Sequence, residues 1–186
     1  MKIFSFAREG LELKPIEVEV SLMPGLPRFE VTGLADSGIK ESLSRVRAAL
    51  KNSDYDLPIR QRVVFNLKPA YNRKKSEGLD FAFAVGYLLE SKQLKLDELE
   101  GKNLFVYGEL GLDGDVSTSN EISLLDRLPA NSQLLTGEGI EPVNVSHFRA
   151  RSLRALNEVE EFDGDEDSGR VDRPELRQKR GTEPSL

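Results

Sequence analysis

Between residues 15 and 22 the chain alternates strictly: Ile16, Val18, Val20 and Leu22 interleave with Glu17, Glu19 and Ser21. A period of two with acids on one side predicts a strand with one buried and one wet face. Pro24-Gly25, inside MPGLP, signals a turn. Beyond it Phe29 and Val31 alternate with Arg28 and Glu30, so the pattern predicts a second strand and, with the first, an antiparallel hairpin. The period then lengthens. Ile39, Leu43, Val46 and Leu50 recur at helical spacing, with Asp36 or Ser37 placed to cap the start and Asn52-Ser53-Asp54 to end it. Glu41 and Arg45 face each other at i,i+4 on that helix. The β-branched and aromatic run RVVFNL, residues 62–67, predicts a buried strand stopped by Pro69.

A polar, basic loop follows at 70–78, AYNRKKSEG, and leads into LDFAFAVGYLLES, whose apolar residues cover most of a helix circumference. Such a helix belongs inside. Gly86 within it forgoes about 1 kcal/mol of helix propensity, which marks a close approach by another element. LFVYGEL (104–110) predicts a strand, and Leu112-Asp113-Gly114-Asp115-Val116 a tight turn into a partner. A last strand is expected near Gln133–Leu135 and a helix from about Val145 to Val159. The fold class is therefore α/β, one sheet with helices packed on it, over residues 1–162. From Asp163 onward twelve of the last 24 residues are charged and only Val171, Leu176 and Leu186 are aliphatic. That stretch buries too little to offset its ordering entropy and is expected to be a disordered tail, 163–186.

Composition narrows the chemistry. With no cysteine, a disulfide framework, a thiolate metal site and a cysteine nucleophile are excluded within these 186 residues. One histidine, His147, restricts any metal site to oxygen ligands. No stretch reaches the roughly 18 apolar residues of a membrane span, and MKIFSFAREG is a poor signal peptide, so a cytoplasmic location with no membrane partner is expected. The net charge of −6 is unevenly spread: residues 40–75 hold ten bases against three acids. Arg45 and Lys51 on the helix, with Arg73, Lys74 and Lys75 on the loop, are the candidate nucleic-acid contacts, and Tyr55 and Tyr71 the candidate stacking residues.

The stretch GLPRFEVTGLADSGIKESLSRVRAALKNSDYDLP (25–58), then VVFNLKPAYNRKKSEGLDFAFAVGYLL (63–89) and YGELGLDGDV (107–116), resembles the ChlI-type domain that opens the ComM/YifB magnesium-chelatase-like AAA+ proteins. Gly25-Leu26-Pro27, Lys40-Glu41-Ser42, the block Arg45 to Leu50 and Gly108-Glu109-Leu110 carry the resemblance. After the turn the family has an arginine-proline pair where this chain has Ser117-Thr118, and the helix before the last strand is shortened to Ser123–Leu128. The fold implied is that of the second domain of ribosomal small-subunit protein five, shared with the Lon peptidase domain. The setting implied is a hexameric motor and, in the ComM branch, DNA branch migration.

Enzyme readings fare poorly against the residues. A P-loop needs GxxxxGK[ST], and the only Gly-Lys pair, Gly101-Lys102, is followed by Asn103 and lacks the distal glycine. Likeness to the Lon nucleophile loop places Gly78 at the serine and Ser123 at the lysine, so both members of the dyad are missing. Ser76 lies nearby, but Lys74 and Lys75 beside it would be exposed and charged, hence poor bases. Asp80 is read as a carboxylate held by the first amides and dipole of the buried helix, Asp113 as a turn residue, Glu109 as a strand residue, His147 as a surface or capping histidine, and DGDED (163–167) as solvated acid rather than a calcium loop.

The function expected is therefore a stand-alone, non-catalytic interaction or regulatory module without cofactor or metal. Its candidate partners are an AAA+ ATPase acting in trans, DNA, or a second copy of itself. Direct nucleic-acid binding through 40–75, or a degenerate peptidase fold, are the alternatives.

Overall fold

A computed structural model describes residues 1–9, 12–33, 37–69, 78–96, 103–118, 128–129, 131–138 and 145–159. The elements run β1 (Lys2–Glu9), β2 (Glu12–Pro24), β3 (Arg28–Thr32), α1 (Ser37–Asn52), β4 (Gln61–Lys68), α2 (Leu79–Glu90), β5 (Asn103–Tyr107), β6 (Glu109–Leu110), β7 (Val116–Ser117), β8 (Ser132–Thr136), β9 (Ser146–Arg149) and a 3-10 segment, Leu153–Glu158. Seven strands form one mixed sheet in the order β3-β4-β2-β1-β5-β8-β9, and β6-β7 make a separate ribbon. The expected α/β class is what the chain adopts.

Both helices lie on one face of the sheet. There Ile3, Val18, Val20, Val63, Phe65 and Leu67 meet Ile39, Val46 and Leu50 of α1 and Phe81, Phe83 and Val85 of α2. Residues Leu79 to Leu88 of α2 are all buried, as its continuous apolar run requires. Ring pairs Phe65–Phe83 (4.7 Å between centroids) and Phe29–Tyr87 (5.3 Å) knit helix to sheet. Gly86 sits where expected: a β-carbon there would lie 2.8 Å from Val20 Cγ2. The other face divides. Across β1, β5 and β8 it is apolar, with Phe6, Leu13, Phe105, Tyr107 and Leu134 clustered. Across β3, β4 and β2 it is wet, and a polar ladder crosses it: Thr32 to Asn66 (3.0 Å), Asn66 to Glu19 (2.7 Å), Lys68 to Glu19 (2.5 Å) and Glu17 (3.3 Å).

Three expectations change, and one strand that the sequence pattern does not announce is added. The hairpin of β2 with β3 does not exist. β4 lies between them, antiparallel to β2 (Pro24↔Gln61 through Glu17↔Lys68) and parallel to β3 (Arg28↔Arg62 through Thr32↔Asn66). The 24–27 turn wraps the start of β4, where Gly25 N donates to Arg60 O (3.2 Å), because β4's apolar row needs a neighbour on each side. Second, the N-terminal residues form β1, at the centre of the sheet between β2 and β5. Its buried Ile3 and Ala7 face the helices while Phe6 joins the opposite cluster, so no polar alternation announces it. Third, 104–110 is two strands divided at Gly108, β5 in the sheet and β6 in the ribbon. Its turn into β7 is as expected, with Asp115 N donating to Asp113 Oδ1 (3.1 Å).

Fourth, 145–159 is not one helix. β9 pairs parallel with β8 and a 3-10 segment follows; His147 and Phe148 are buried at the middle of the strand, and Ala150 N returns to Thr136 O (2.9 Å). The expected tail 163–186 lies outside the described residues. Among the described residues no helix is long and apolar enough to cross a membrane.

Candidate functional site

The N-terminal end of α2 gathers the polar groups that the sequence singled out. Gly78 stands at its N-cap with φ 75° and supplies no side-chain cap. The neighbouring backbone takes over: Phe81 N donates to Gly108 O (3.1 Å), and Gly108 N donates to Gly78 O (3.0 Å). These two bonds tie the helix start to the β5–β6 junction. They also bring the Tyr107 ring so close to Gly78 that a β-carbon there would lie 2.2 Å from Cε2. No side chain fits at that position, and a left-handed φ disfavours one independently.

Two residues further on, in the first turn of α2, the Asp80 carboxylate is buried and bonded to α1. Ser42 Oγ donates to its Oδ1. Arg45 Nε donates to Oδ2 (2.9 Å) and Nη2 to Oδ1 (3.3 Å), with a further bond from Nη2 to Ser42 Oγ (3.3 Å). The arginine thus grips the carboxylate through two nitrogens. Its hydrogen bond to Asp80 raises the Arg45 guanidinium above its ordinary value, against an opposing effect of partial burial. Asp80 is therefore held by side chains of the other helix rather than by the first amides of its own, which is a correction to the capping reading. Ser42 stands 38 residues from Asp80, and nothing in that spacing announces the contact.

Of the expected nucleic-acid residues, Arg45 and Lys51 lie among the described ones. Arg45 turns toward Asp80, with its side chain 39% exposed. Lys51 is exposed near the end of α1, and six positions along a helix rotate it about 120° from Arg45. Arg73, Lys74 and Lys75, with Tyr71 and Ser76, lie outside the described residues, as does Ser123. Tyr55 is partly buried, and its hydroxyl donates to Leu153 O (2.9 Å). What α1 does present is Lys40, Arg47 and Lys51, all exposed and spaced along one helical stripe; none is ion-paired among the described residues. Glu109 is exposed on β6 and its charge acts on Arg45.

His147 also needs correction. It is buried, 1% exposed, on β9, and its Nε2 lies 2.9 Å from Thr136 Oγ1. The Thr136 hydroxyl donates to Gly137 O (2.8 Å), so it accepts from Nε2–H and fixes that tautomer of a neutral ring. Burial, with Arg149 assisting, pushes the imidazole down to about 4. Among the described residues no group of three histidine, cysteine or acidic side chains is placed to hold a metal.

Comparison with known proteins finds relatives of the N-terminal part of the chain. The family described as subunit ChlI of Mg-chelatase matches residues 18–127. YifB of Escherichia coli is 39% identical over 108 residues, covering 56% of this chain and 20% of its own length. YifB of Salmonella typhimurium is 38% identical over 105 residues, with the same coverage. The competence protein ComM of Haemophilus influenzae is 34% identical over 114 residues, covering 61% of this chain and 22% of its own length. The chain thus spans about a fifth of the length of the curated relatives it matches.

Proposed function

The chain belongs to the ChlI family, and from that premise we propose that it is a non-catalytic interaction or regulatory domain that serves an AAA+ ATPase or a DNA-processing assembly. One observation carries the non-catalytic part. Where the likeness to Lon peptidases puts the nucleophile, Gly78 is left-handed and the Tyr107 ring fills the space a side chain would need. A serine at 78 would be excluded by packing, not merely replaced. The one buried carboxylate beside it, Asp80, is saturated by Ser42 and Arg45, so it works as a brace between α1 and α2 rather than as a free base. The association with a motor rests on the resemblance to the ComM/YifB proteins.

Two assays test this reading. The purified chain should leave fluorogenic peptides and unfolded casein intact, and should recover an AAA+ ATPase when used as bait in native lysate. Peptide cleavage that disappears on replacing Ser76 by alanine would overturn it.

A second reading has its own support. Lys40, Arg47 and Lys51 form an exposed cationic stripe on α1, the kind of surface that tracks a phosphate backbone. Binding of an oligonucleotide should then weaken steeply between about 50 and 200 mM salt. Reversing Arg47 and Lys51 to glutamate should weaken it for every sequence alike. A flat salt response would exclude it.

A further inference from the structure

Five large hydrophobic residues are exposed among the described residues, and three of them sit at one corner of the sheet: Met23 (39%), Leu26 (79%) and Ile59 (81%). The register brings them together. Met23 lies opposite Arg62, Pro24 opposite Gln61, and Gly25 N bonds Arg60 O, so the 24–27 turn and the 58–60 segment run side by side. Isolated exposed leucines are ordinary, but a cluster of this kind at one end of a sheet marks a contact surface.

Two other features share the corner. β3 is the edge of the sheet and pairs only with β4 among the described residues, so every second residue presents unpaired backbone groups outward. The charges there are basic, opposite in sign to the chain as a whole. Arg28, Arg60 and Arg62 stand against a single acid, Glu30, which is shared by Arg28 and, at 3.8 Å, by Arg62. Arg62 is also under-satisfied, since its buried Nε has no acceptor among the described residues.

We propose that this corner is a docking site for an extended, acidic segment of a partner protein, added as a strand along β3. Its apolar side chains would cover Leu26 and Ile59, and its carboxylates would meet Arg28, Arg60 and Arg62. Strand addition supplies main-chain hydrogen bonds, while alternate side chains supply the choice of partner. Nucleic acid fits less well, because phosphates have no use for Leu26 and Ile59. A two-fold pairing of this corner with itself would set arginine against arginine. The proposal rests on the interaction-domain reading but can fail separately. A chain that recovers its ATPase and ignores the peptide below loses only this surface. A chain that binds the peptide and recovers no ATPase keeps the surface and loses its assigned partner.

The test uses the full chain and a short labelled peptide alternating glutamate with valine and leucine, beside a counterpart with lysine for glutamate. Anisotropy should rise with the acidic peptide alone, and amide shift changes should gather at residues 24–32 and 58–62. Ile59→Ser and Arg60→Glu, both at exposed positions, should each weaken binding about tenfold while leaving the unfolding midpoint unchanged. Equal binding of the two peptides, unchanged affinity in both variants, or shift changes elsewhere would overturn the proposal. So would an oligonucleotide that shifts the same amides, or sedimentation showing a dimer that Ile59→Ser dissolves.

Discussion

The Asp80 carboxylate is 1% exposed and receives the Arg45 Nε at 2.9 Å, so a charge in the core of α2 is answered by one on the flank of α1. The two ends of this bridge are not equivalent. Arg45 has access to water and Asp80 has none, and a buried ion that loses its partner has nowhere to go.

Arg45→Ala should therefore destabilise more than Asp80→Asn. The first strands a carboxylate with only Ser42 as donor and should cost about 3 kcal/mol. The second keeps an acceptor for Ser42 and lets the arginine turn outward, at about 1 kcal/mol. Urea midpoints of the two variants check the order. If Asp80→Asn proves the worse, the bridge is not what fixes the helices.

Gly78→Ala tests the occluded position. The substitution meets the Tyr107 ring and a left-handed backbone together, and should cost about 3 kcal/mol from overpacking and strain combined. In a double-mutant cycle, Tyr107→Ala should relieve the steric part and leave the backbone part. Strict additivity would show that the ring does not guard this space.

What was legible in the sequence follows from which surfaces meet water. β2 and α1 each keep one wet side, so Glu17 and Glu19 in the strand, and Glu41 and Arg45 in the helix, mark their periods. β1 is buried on both faces by Ile3 and Ala7 against Phe6, and its run carried no alternation to read. The placement of β3 beyond β4 depends on which strand fills the gap, a long-range matter on which the alternation at 28–32 is silent. The Ser42–Asp80–Arg45 brace joins residues 35 and 38 positions apart and leaves no local trace. His147 looked like a surface residue because its helix was expected; as a strand residue it is covered.

Gly86→Ala sets two known magnitudes against each other. The helix gains about 1 kcal/mol in propensity, while the new methyl group would stand 2.8 Å from Val20 Cγ2 and 3.4 Å from Ile3 Cδ1. Overpacking of a filled core costs about 1–3 kcal/mol, so the net should be a loss of about 1 kcal/mol. Measured against Val20→Ala alone, adding Gly86→Ala should cost less than it does in the wild-type chain. Thermal unfolding of both single variants and the double variant reads the sign, and a stabilised Gly86→Ala chain would mean that α2 shifts away from β2 freely.

The last expectation concerns acid. His147 is held at about 4 when folded, by burial first and Arg149 second, and returns to about 6.5 on unfolding. Between those values the unfolded chain binds the extra proton, so stability is full above about pH 6.5 and falls as pH drops toward 4. The whole loss amounts to about 3 kcal/mol, at about 1.4 kcal/mol per unit. Carboxylates titrate in part of the same window, so the informative quantity is the difference between the wild-type chain and His147→Gln. The variant keeps a donor for Thr136 but cannot take up the proton. Urea unfolding at pH 7, 5.5 and 4.5 should show the two curves converging as the wild type loses its advantage. Parallel curves would mean that the imidazole is protonated in the folded chain and that its contact with Thr136 opens to water.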